Sequence, residues 1–420
     1  MKYKKIEKDN YTIHLLNTDK FKSIYVSLSL INEFNRESLI KNSVLRRLLV
    51  ASSKNLKNEV EVTKKVCELY NSGISITNDL SSNVITTNID MEVLEDKYTE
   101  VGLFYNALDY YFDTIFNPNI IDGKFEKNNY DLVIKSIKDY FDKEKENKEK
   151  YAFDRAYELM DEEYLKYPLN GYKEDLKDIT RENMATYYNE LIKNANANLF
   201  IIGNINEKEL LEYLDKKLDN KFYKNESKYI ESNYKENTPL KVGESKENNN
   251  QSILVLIYKI MNLTKRERNV ILPVFNRIFG LGTNSKLFKV VREENSLCYN
   301  IRSSYSRCDA LLTIQSGISS KNKDKVLKLI NQELNNMKNG NITKDEFLDA
   351  INFRKRNLKQ FYDYIDSLVY IKESNVLFDN DDLEERKKKL ESIKLEEIIE
   401  VSKKIELNVE YILKGDKDNE

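Results

Sequence analysis

The sequence predicts an α+β fold of two homologous domains, each an antiparallel or mixed β-sheet with helices packed on one face. Its 420 residues are too many for one ordinary hydrophobic core, and a hydrophobic content of 40% is enough to fill two. Strand and helix patterns follow the same order in both halves, with a repeat period of about 225 residues. The stretch between the halves is poor in aliphatic residues. We therefore expect an N-terminal domain at 1–222, a linker at 223–245 and a C-terminal domain at 246–420.

In the first half, alternating apolar residues predict strands and spacings of three and four predict helices. The predicted strands are 11–16, 23–30, 74–78, 84–90 and 198–203. The predicted helices are 39–50, 60–70, 94 to about 166, 180–195 and 207–218. Thr180 has the residue type of a helix N-cap, and Glu182 suits the first turn of that helix.

The second half repeats this order. The predicted strands are 252–260, 297–305, 310–318 and 409–413. The predicted helices are 266–279, 285–294, 325–337, a long helix that begins at Thr343 and extends past Tyr364, and 383–403. The two halves therefore indicate duplication of one α+β unit.

Composition excludes several classes of function. The 68 basic and 70 acidic side chains nearly cancel, so no overall field favours nucleic acid or an anionic membrane. No apolar run approaches the roughly 18 residues of a membrane span, and the charged N-terminus lacks the apolar core of a secretory signal. The three cysteines form no CxxC pair. We expect a reducing, cytoplasmic location without a disulfide framework.

The histidine count bears directly on metal chemistry. The chain has one histidine, His14, in an alternating strand pattern. A catalytic zinc site needs three protein ligands and an open position for water. One histidine and three scattered cysteines make such a site improbable within this chain, and we expect His14 to be an ordinary strand residue.

Several runs resemble the insulinase-like (pitrilysin-type) metallopeptidases. Residues 281–299, LGTNSKLFKVVREENSLCY, resemble the signature of that family's second domain. It consists of a small-residue loop, a helix ending in Arg-Glu and a Leu-x-Tyr, with the arginine and tyrosine seven residues apart. Residues 179–204 resemble the end of the first domain, and 342–365 and 395–415 resemble the close of the second. The resemblance covers nearly the whole chain and implies the insulinase-like half-clamshell.

The same resemblance indicates that the zinc half of the site is lost. Active members carry His-x-x-Glu-His on the first helix, where the histidines bind zinc and the glutamate activates water. The corresponding run here is 43–47, SVLRR. Ser43 replaces the first histidine, Arg46 the glutamate and Arg47 the second histidine. Glu126 falls near the place of the remaining ligand, but one carboxylate cannot hold catalytic zinc.

The other half of the family's site is retained. In the family, the arginine and tyrosine reach across a chamber toward zinc held by the opposite domain or subunit. The resemblance implies that Arg292 and Tyr299 donate hydrogen bonds to a substrate carbonyl, and that Gly282, Thr283 and Asn284 contact substrate. Apart from the family resemblance, the sequence predicts a surface residue at a helix end for Arg292 and a half-buried strand residue for Tyr299. The loop 280–284 is then an ordinary helix C-cap.

At subfamily level the opening residues 18–22 resemble the bacterial, zinc-free YfmF-like proteins, associated by name with 5-aminopentanol modification of elongation factor P. This implies a catalytically incomplete subunit, without a cofactor of its own, that pairs with a zinc-motif homologue and acts on a peptide or unfolded polypeptide. A non-enzymatic peptide-binding or scaffold protein of the same fold is the alternative. Maturation of a ribosomally made peptide is a third hypothesis.

Overall fold

The computed structural model describes residues 1–223, 225, 229–236, 238–378, 381 and 383–416. They divide into two compact units. Unit 1 contains Met1–Lys143, Pro168–Tyr229 and Phe361–Asp379. Unit 2 contains Glu144–Tyr167, Ile230–Gln360 and Asn380–Glu420. Each unit thus includes a segment from the other half of the sequence. Within the predicted linker, residues 224, 226–228 and 237 lie outside the described residues.

The predicted strands are present in both halves, and the first, sixth and seventh strands below were not predicted. In chain order they are β1 (Lys2–Glu7), β2 (Tyr11–Asn17), β3 (Ser23–Glu33), β4 (Ile74–Ser81), β5 (Val84–Leu94), β6 (Ile120–Ile121), β7 (Lys124–Phe125), β8 (Asn196–Gly203), β9 (Lys241–Glu247), β10 (Ser252–Ile260), β11 (Cys298–Ser306), β12 (Leu311–Ile318) and β13 (Ile405–Gly415).

The α-helices follow the spacings of three and four. They are α1 (Ser38–Ala51), α2 (Glu59–Glu68), α3 (Leu103–Phe116), α4 (Lys127–Asp142), α5 (Lys148–Tyr157), α6 (Arg181–Asn194), α7 (Glu207–Leu218), α8 (Leu272–Phe279), α9 (Lys323–Lys338), α10 (Lys344–Gln360), α11 (Ile365–Leu377), α12 (Leu383–Glu391) and α13 (Leu395–Lys403). Two π-helical segments, Glu267–Ile271 and Phe288–Glu294, interrupt the regular helices of unit 2.

The sheets are mixed, which confirms the predicted α+β fold. In unit 1 the strand order is β1-β2-β8-β3-β5-β4, and β2 and β8 run parallel. In unit 2 it is β11-β12-β10-β13-β9, and β13 and β9 run parallel. β8 and β10 are central strands with a continuous apolar run, as expected where both faces of a sheet are covered.

One exchanged helix covers the second face of each sheet. Alternate residues of a strand point to opposite faces. In β8, Leu199 and Ile201 join the main core, whereas Phe200 and Ile202 pack against Leu368 of α11. In unit 2, α5 packs against β10, β12 and β13 through side chains that include Ala152 and Ala156. These small side chains allow the helix to lie close to the sheet.

Three segments differ from the helical predictions. The predicted helix 383–403 forms two helices, α12, which ends at Glu391, and α13, which begins at Leu395. Residues 94–166 contain the short hairpin β6–β7 in addition to helices, and the chain passes from unit 1 to unit 2 after Lys143. The helix from Thr343 ends at Gln360 because the chain enters unit 1 there. In unit 1, the Lys20 ammonium group donates to the carbonyl of Tyr362 and lies 2.9 Å from Asp363, which fixes the turn before α11.

The predicted helix caps are present. Thr180 Oγ1 accepts a hydrogen bond from the Asn183 N–H at 3.1 Å. Thr343 Oγ1 accepts one from the Glu346 N–H at 3.2 Å, and Glu346 Oε2 accepts one from the Thr343 N–H at 2.9 Å. Across the described part of the chain, every helix is too short or too polar to cross a bilayer.

Candidate functional site

The positions that correspond to the zinc motif lie on α1 and are occupied by a polar cluster. The buried Ser43 donates through Oγ to Asn170 Oδ1 at 2.9 Å, and Arg46 Nη2 donates to the same oxygen at 3.2 Å. Arg47 Nη1 donates to the Ser43 carbonyl at 2.7 Å, and its guanidinium lies 5.7 Å from the ring centre of Tyr140. Asn170 Nδ2 donates to the Tyr140 hydroxyl at 2.9 Å. We call these five residues the arginine cluster.

The arginine cluster does not fit a zinc ion. Burial lowers the pKa of Arg47, and the positive charge of Arg46 lowers it further. The Arg46 Nε is buried and has no hydrogen-bond partner among the residues that the structure describes. A divalent cation here would add charge to a cluster that already holds two cations, and none of its five residues supplies a thiolate, an imidazole or a carboxylate. Throughout the described ranges, no group of three or more His, Cys, Asp or Glu side chains could hold a metal ion.

Glu126, which the family pattern places near the last zinc ligand, has a structural partner. Its carboxylate accepts hydrogen bonds from the backbone N–H groups of Asn128 at 3.0 Å and Asn129 at 2.9 Å. Although burial acts in the opposite direction, these N–H groups hold the pKa of Glu126 below its usual value. Glu126 is therefore the N-cap of α4.

His14 is buried within the sheet of unit 1. Its Nδ1 lies 2.8 Å from the Tyr3 hydroxyl and its Nε2 lies 3.1 Å from Asn198 Oδ1. The ring stacks on Phe200 with centroids 4.4 Å apart. Burial lowers the pKa of His14 to about 4, so the ring is neutral near pH 7. These contacts agree with the expected role as an ordinary strand residue.

The structure brings Arg292 and Tyr299 together in unit 2. Arg292 lies in the π-helical segment Phe288–Glu294, and Tyr299 lies on β11. The guanidinium is 4.6 Å from the ring centre of Phe288 and 5.2 Å from that of Tyr299. Arg292 is half-buried, whereas Tyr299 is 80% exposed. Cation–π contacts at this distance hold the two donors beside each other.

A β-bulge sets the direction of the Tyr299 side chain. Cys298 and Asn300 of β11 pair with the consecutive residues Ile318 and Gly317 of β12. Tyr299, which lies between them, is therefore the extra residue of β11. A bulge bends the strand and re-aims the side chain that it carries. Burial raises the pKa of the neighbouring Cys298 thiol even though Arg292 acts in the opposite direction. Burial therefore disfavours the thiolate form of Cys298.

The loop after α8 is fixed to the same strand. The Gly280 carbonyl accepts a hydrogen bond from the Ser303 N–H of β11 at 2.9 Å. Arg277 Nη1 donates to the Leu281 carbonyl at 2.7 Å. Gly282 has φ +92°, a conformation that favours glycine. Gly282, Thr283 and Asn284 are exposed, and their contact with substrate stays a prediction.

The predicted residues form two groups, one in each unit. Sequence reasoning missed Phe288, Tyr140 and Asn170. Phe288 precedes Arg292 by four residues, a spacing that brings side chains together on a helix and could have suggested the contact. Tyr140 and Asn170 come from elements far from α1 in the sequence, and no local pattern marks them.

Comparison with known proteins identifies relatives along the chain. Residues 178–353 match the family model described as Peptidase M16 inactive domain. Over 417 residues the chain is 24% identical to the "Probable inactive metalloprotease YmfF" of Bacillus subtilis (strain 168), covering 96% of each protein. A conserved protein from Enterococcus faecalis V583 is 26% identical, with a TM-score of 0.91 and 100% coverage of both chains.

A more distant solved structure shares the fold. The peptidase M16 inactive domain from Pseudomonas fluorescens is 13% identical, with a TM-score of 0.79 and coverage of 99% of this chain and 98% of that one.

Proposed function

Because this chain is an inactive-type homologue of the M16 (insulinase-like) peptidases, we propose that it is the zinc-free subunit of a two-chain peptidase. Its partner is an insulinase-like homologue that bears His-x-x-Glu-His, and the substrate is a peptide or an unfolded polypeptide. The partner supplies zinc and the activated water. This chain supplies substrate-binding groups from unit 2.

The observation that carries the proposal is the retained Arg292–Tyr299 pair. A guanidinium has five N–H donors and a phenol has one O–H donor. The contacts with Phe288 and Tyr299 hold the guanidinium before substrate arrives, and the bulge exposes the phenol. Both groups then donate to the substrate carbonyl and to the oxyanion that develops from it. Such preorganised donors contribute about 10²–10³ in rate each.

The arginine cluster also supports the proposal that the partner supplies the zinc ion and this chain supplies substrate-binding groups. Ser43, Arg46 and Arg47 offer no zinc ligands, so this chain needs another protein for the hydrolytic step. Among the described residues, Cys67, Cys298 and Cys308 take part in no disulfide, which suits the cytoplasmic location that we propose.

The test is turnover by the reconstituted pair. R292A should lower kcat about 10²-fold or more, because the lost donor acts in the transition state. Y299F, which keeps the ring and removes the hydroxyl, should have a smaller effect. R302A is the matched control, since Arg302 lies on the same strand with a 57% exposed side chain. Unchanged turnover of R292A in an intact complex rejects the catalytic role of Arg292.

The alternative is a peptide-binding or scaffold protein without chemistry. One observation favours it: β11 is an edge strand of its sheet, and an extended peptide can add to such an edge by main-chain hydrogen bonds. Peptide binding by the isolated chain, with no zinc-motif partner in the cell, would select this alternative.

A further inference from the structure

Among the residues that the structure describes, Arg46 and Arg47 have no carboxylate partner. Their hydrogen bonds go to Asn170 Oδ1 and to the Ser43 carbonyl, both uncharged, within the described part of the chain. Elsewhere in unit 1, Arg36 pairs with Asp175 at 2.8 Å. Unlike Arg36, the two cluster arginines are therefore not neutralised by any carboxylate of the described ranges.

Donors remain available around these two charges. Arg47 uses Nη1 for the Ser43 carbonyl, which leaves its Nε and Nη2 groups. The Tyr140 hydroxyl accepts from Asn170, so its own proton is free to be donated. Arg46, Arg47, Tyr140 and Asn170 are all half-buried. A ligand can therefore reach them at a place where solvent screens charge less than on an open surface.

We propose that the arginine cluster binds a carboxylate of the polypeptide substrate, from an Asp or Glu side chain or from the C-terminus. This inference rests on the proposed function, because the ligand is the peptide of that function. Guanidinium groups match carboxylates in planar geometry and form short, charge-assisted hydrogen bonds with them. At the positions where active family members hold a cation, this chain thus holds an anion and selects acidic peptides.

The experiment measures peptide binding to the isolated full chain by fluorescence anisotropy. Four labelled decapeptides share one sequence and differ in an internal Glu or Gln and in a C-terminal acid or amide. The preferred carboxylate should tighten binding about tenfold, the effect of one charge-assisted contact. Comparing the internal pair with the terminal pair shows which carboxylate the cluster takes.

Two sets of variants place the effect at the cluster. R46Q/R47Q should remove the preference for the acidic peptide, and R46K/R47K, which keeps both charges, should retain part of it. R356Q/K359Q also removes two positive charges, from exposed positions on α10, and should leave the preference unchanged. Circular dichroism of each variant verifies folding.

The proposal is overturned if the four peptides bind the wild-type chain equally, if none binds, or if R46Q/R47Q keeps the full preference. Its failure is distinguishable from that of the proposed function. Equal binding of all peptides alongside an intact complex with the zinc-motif homologue rejects the carboxylate site alone. A clear acidic preference without any such complex rejects the two-chain peptidase alone.

Discussion

Replacement of Glu373 by Gln should stabilise the protein above neutral pH and have little effect in acid. Glu373 lies on α11, and its Oε1 accepts a hydrogen bond from Ser27 Oγ of β3 at 3.0 Å. Burial raises its pKa to about 7, and the negative charges of Asp90 and Asp79 act in the same direction. Burial likewise raises the pKa of Asp90 to about 6. Glu373 therefore opposes the packing of α11 when it is ionised.

The magnitude follows from the two pKa values of Glu373. Its usual pKa of 4.5 applies to the unfolded chain and the value of about 7 to the folded one. Because the folded pKa is higher, stability is full below about pH 4.5 and falls as the pH rises to about 7. Each tenfold change in the ionisation constant corresponds to about 1.4 kcal/mol. Ionisation of Glu373 therefore lowers the free energy of unfolding by about 3 kcal/mol. The Asp90 effect is not added, because the two carboxylates repel each other and share that repulsion.

Differential scanning calorimetry at pH 8 and pH 5 measures the effect. The melting temperature of E373Q should exceed that of the wild type by about 5 °C or more at pH 8, and by much less at pH 5. D366N is the control, since Asp366 is exposed on the same helix. An equal difference between the melting temperatures of E373Q and the wild type at both pH values would show that ionisation of Glu373 does not destabilise the fold.

Two further predictions concern His14 and Gly280. The chain has one histidine, so the ring signals of isotope-labelled histidine come from His14 alone. Their chemical shifts should stay constant from pH 8 to 5.5 and titrate near pH 4, because burial lowers the pKa of His14. A midpoint near pH 6.5 would contradict this. G280A should destabilise the protein by about 1–3 kcal/mol, because the added Cβ would lie 2.4 Å from Ser303 Oγ; an unchanged urea midpoint would contradict that contact.

Local patterns predicted most of the elements of the fold. The alternation of β2, β3, β10 and β12 and the caps at Thr180 and Thr343 are visible because short-range chemistry determines them. The exchange of α5 and α11 was not predictable in the same way. An amphipathic pattern shows which face of a helix is buried but not which sheet covers it. The turn at 361–364 escaped prediction for the same reason, since it exists where the chain changes unit.

In the candidate site, too, some features were predictable from the sequence and others depended on contacts between distant residues. The resemblance placed Arg292 and Tyr299 seven residues apart, and the structure brings them into contact. The bulge that re-aims Tyr299 depends on the pairing of β11 with β12, which the sequence of β11 alone does not specify. The sequence of α1 itself showed that it carries no zinc ligands at the motif positions. The hydrogen bonds of Ser43 and Arg46 to Asn170 could not be predicted from the sequence, because they join residues more than 120 positions apart.

The most direct test of the zinc-free subunit is native purification of the tagged chain from its own cells, with mass spectrometry and metal analysis of the complex. We predict an equimolar homologue bearing His-x-x-Glu-His and one zinc ion for each pair of chains. A chain that purifies alone or only with copies of itself, without zinc, would contradict the proposed two-chain peptidase.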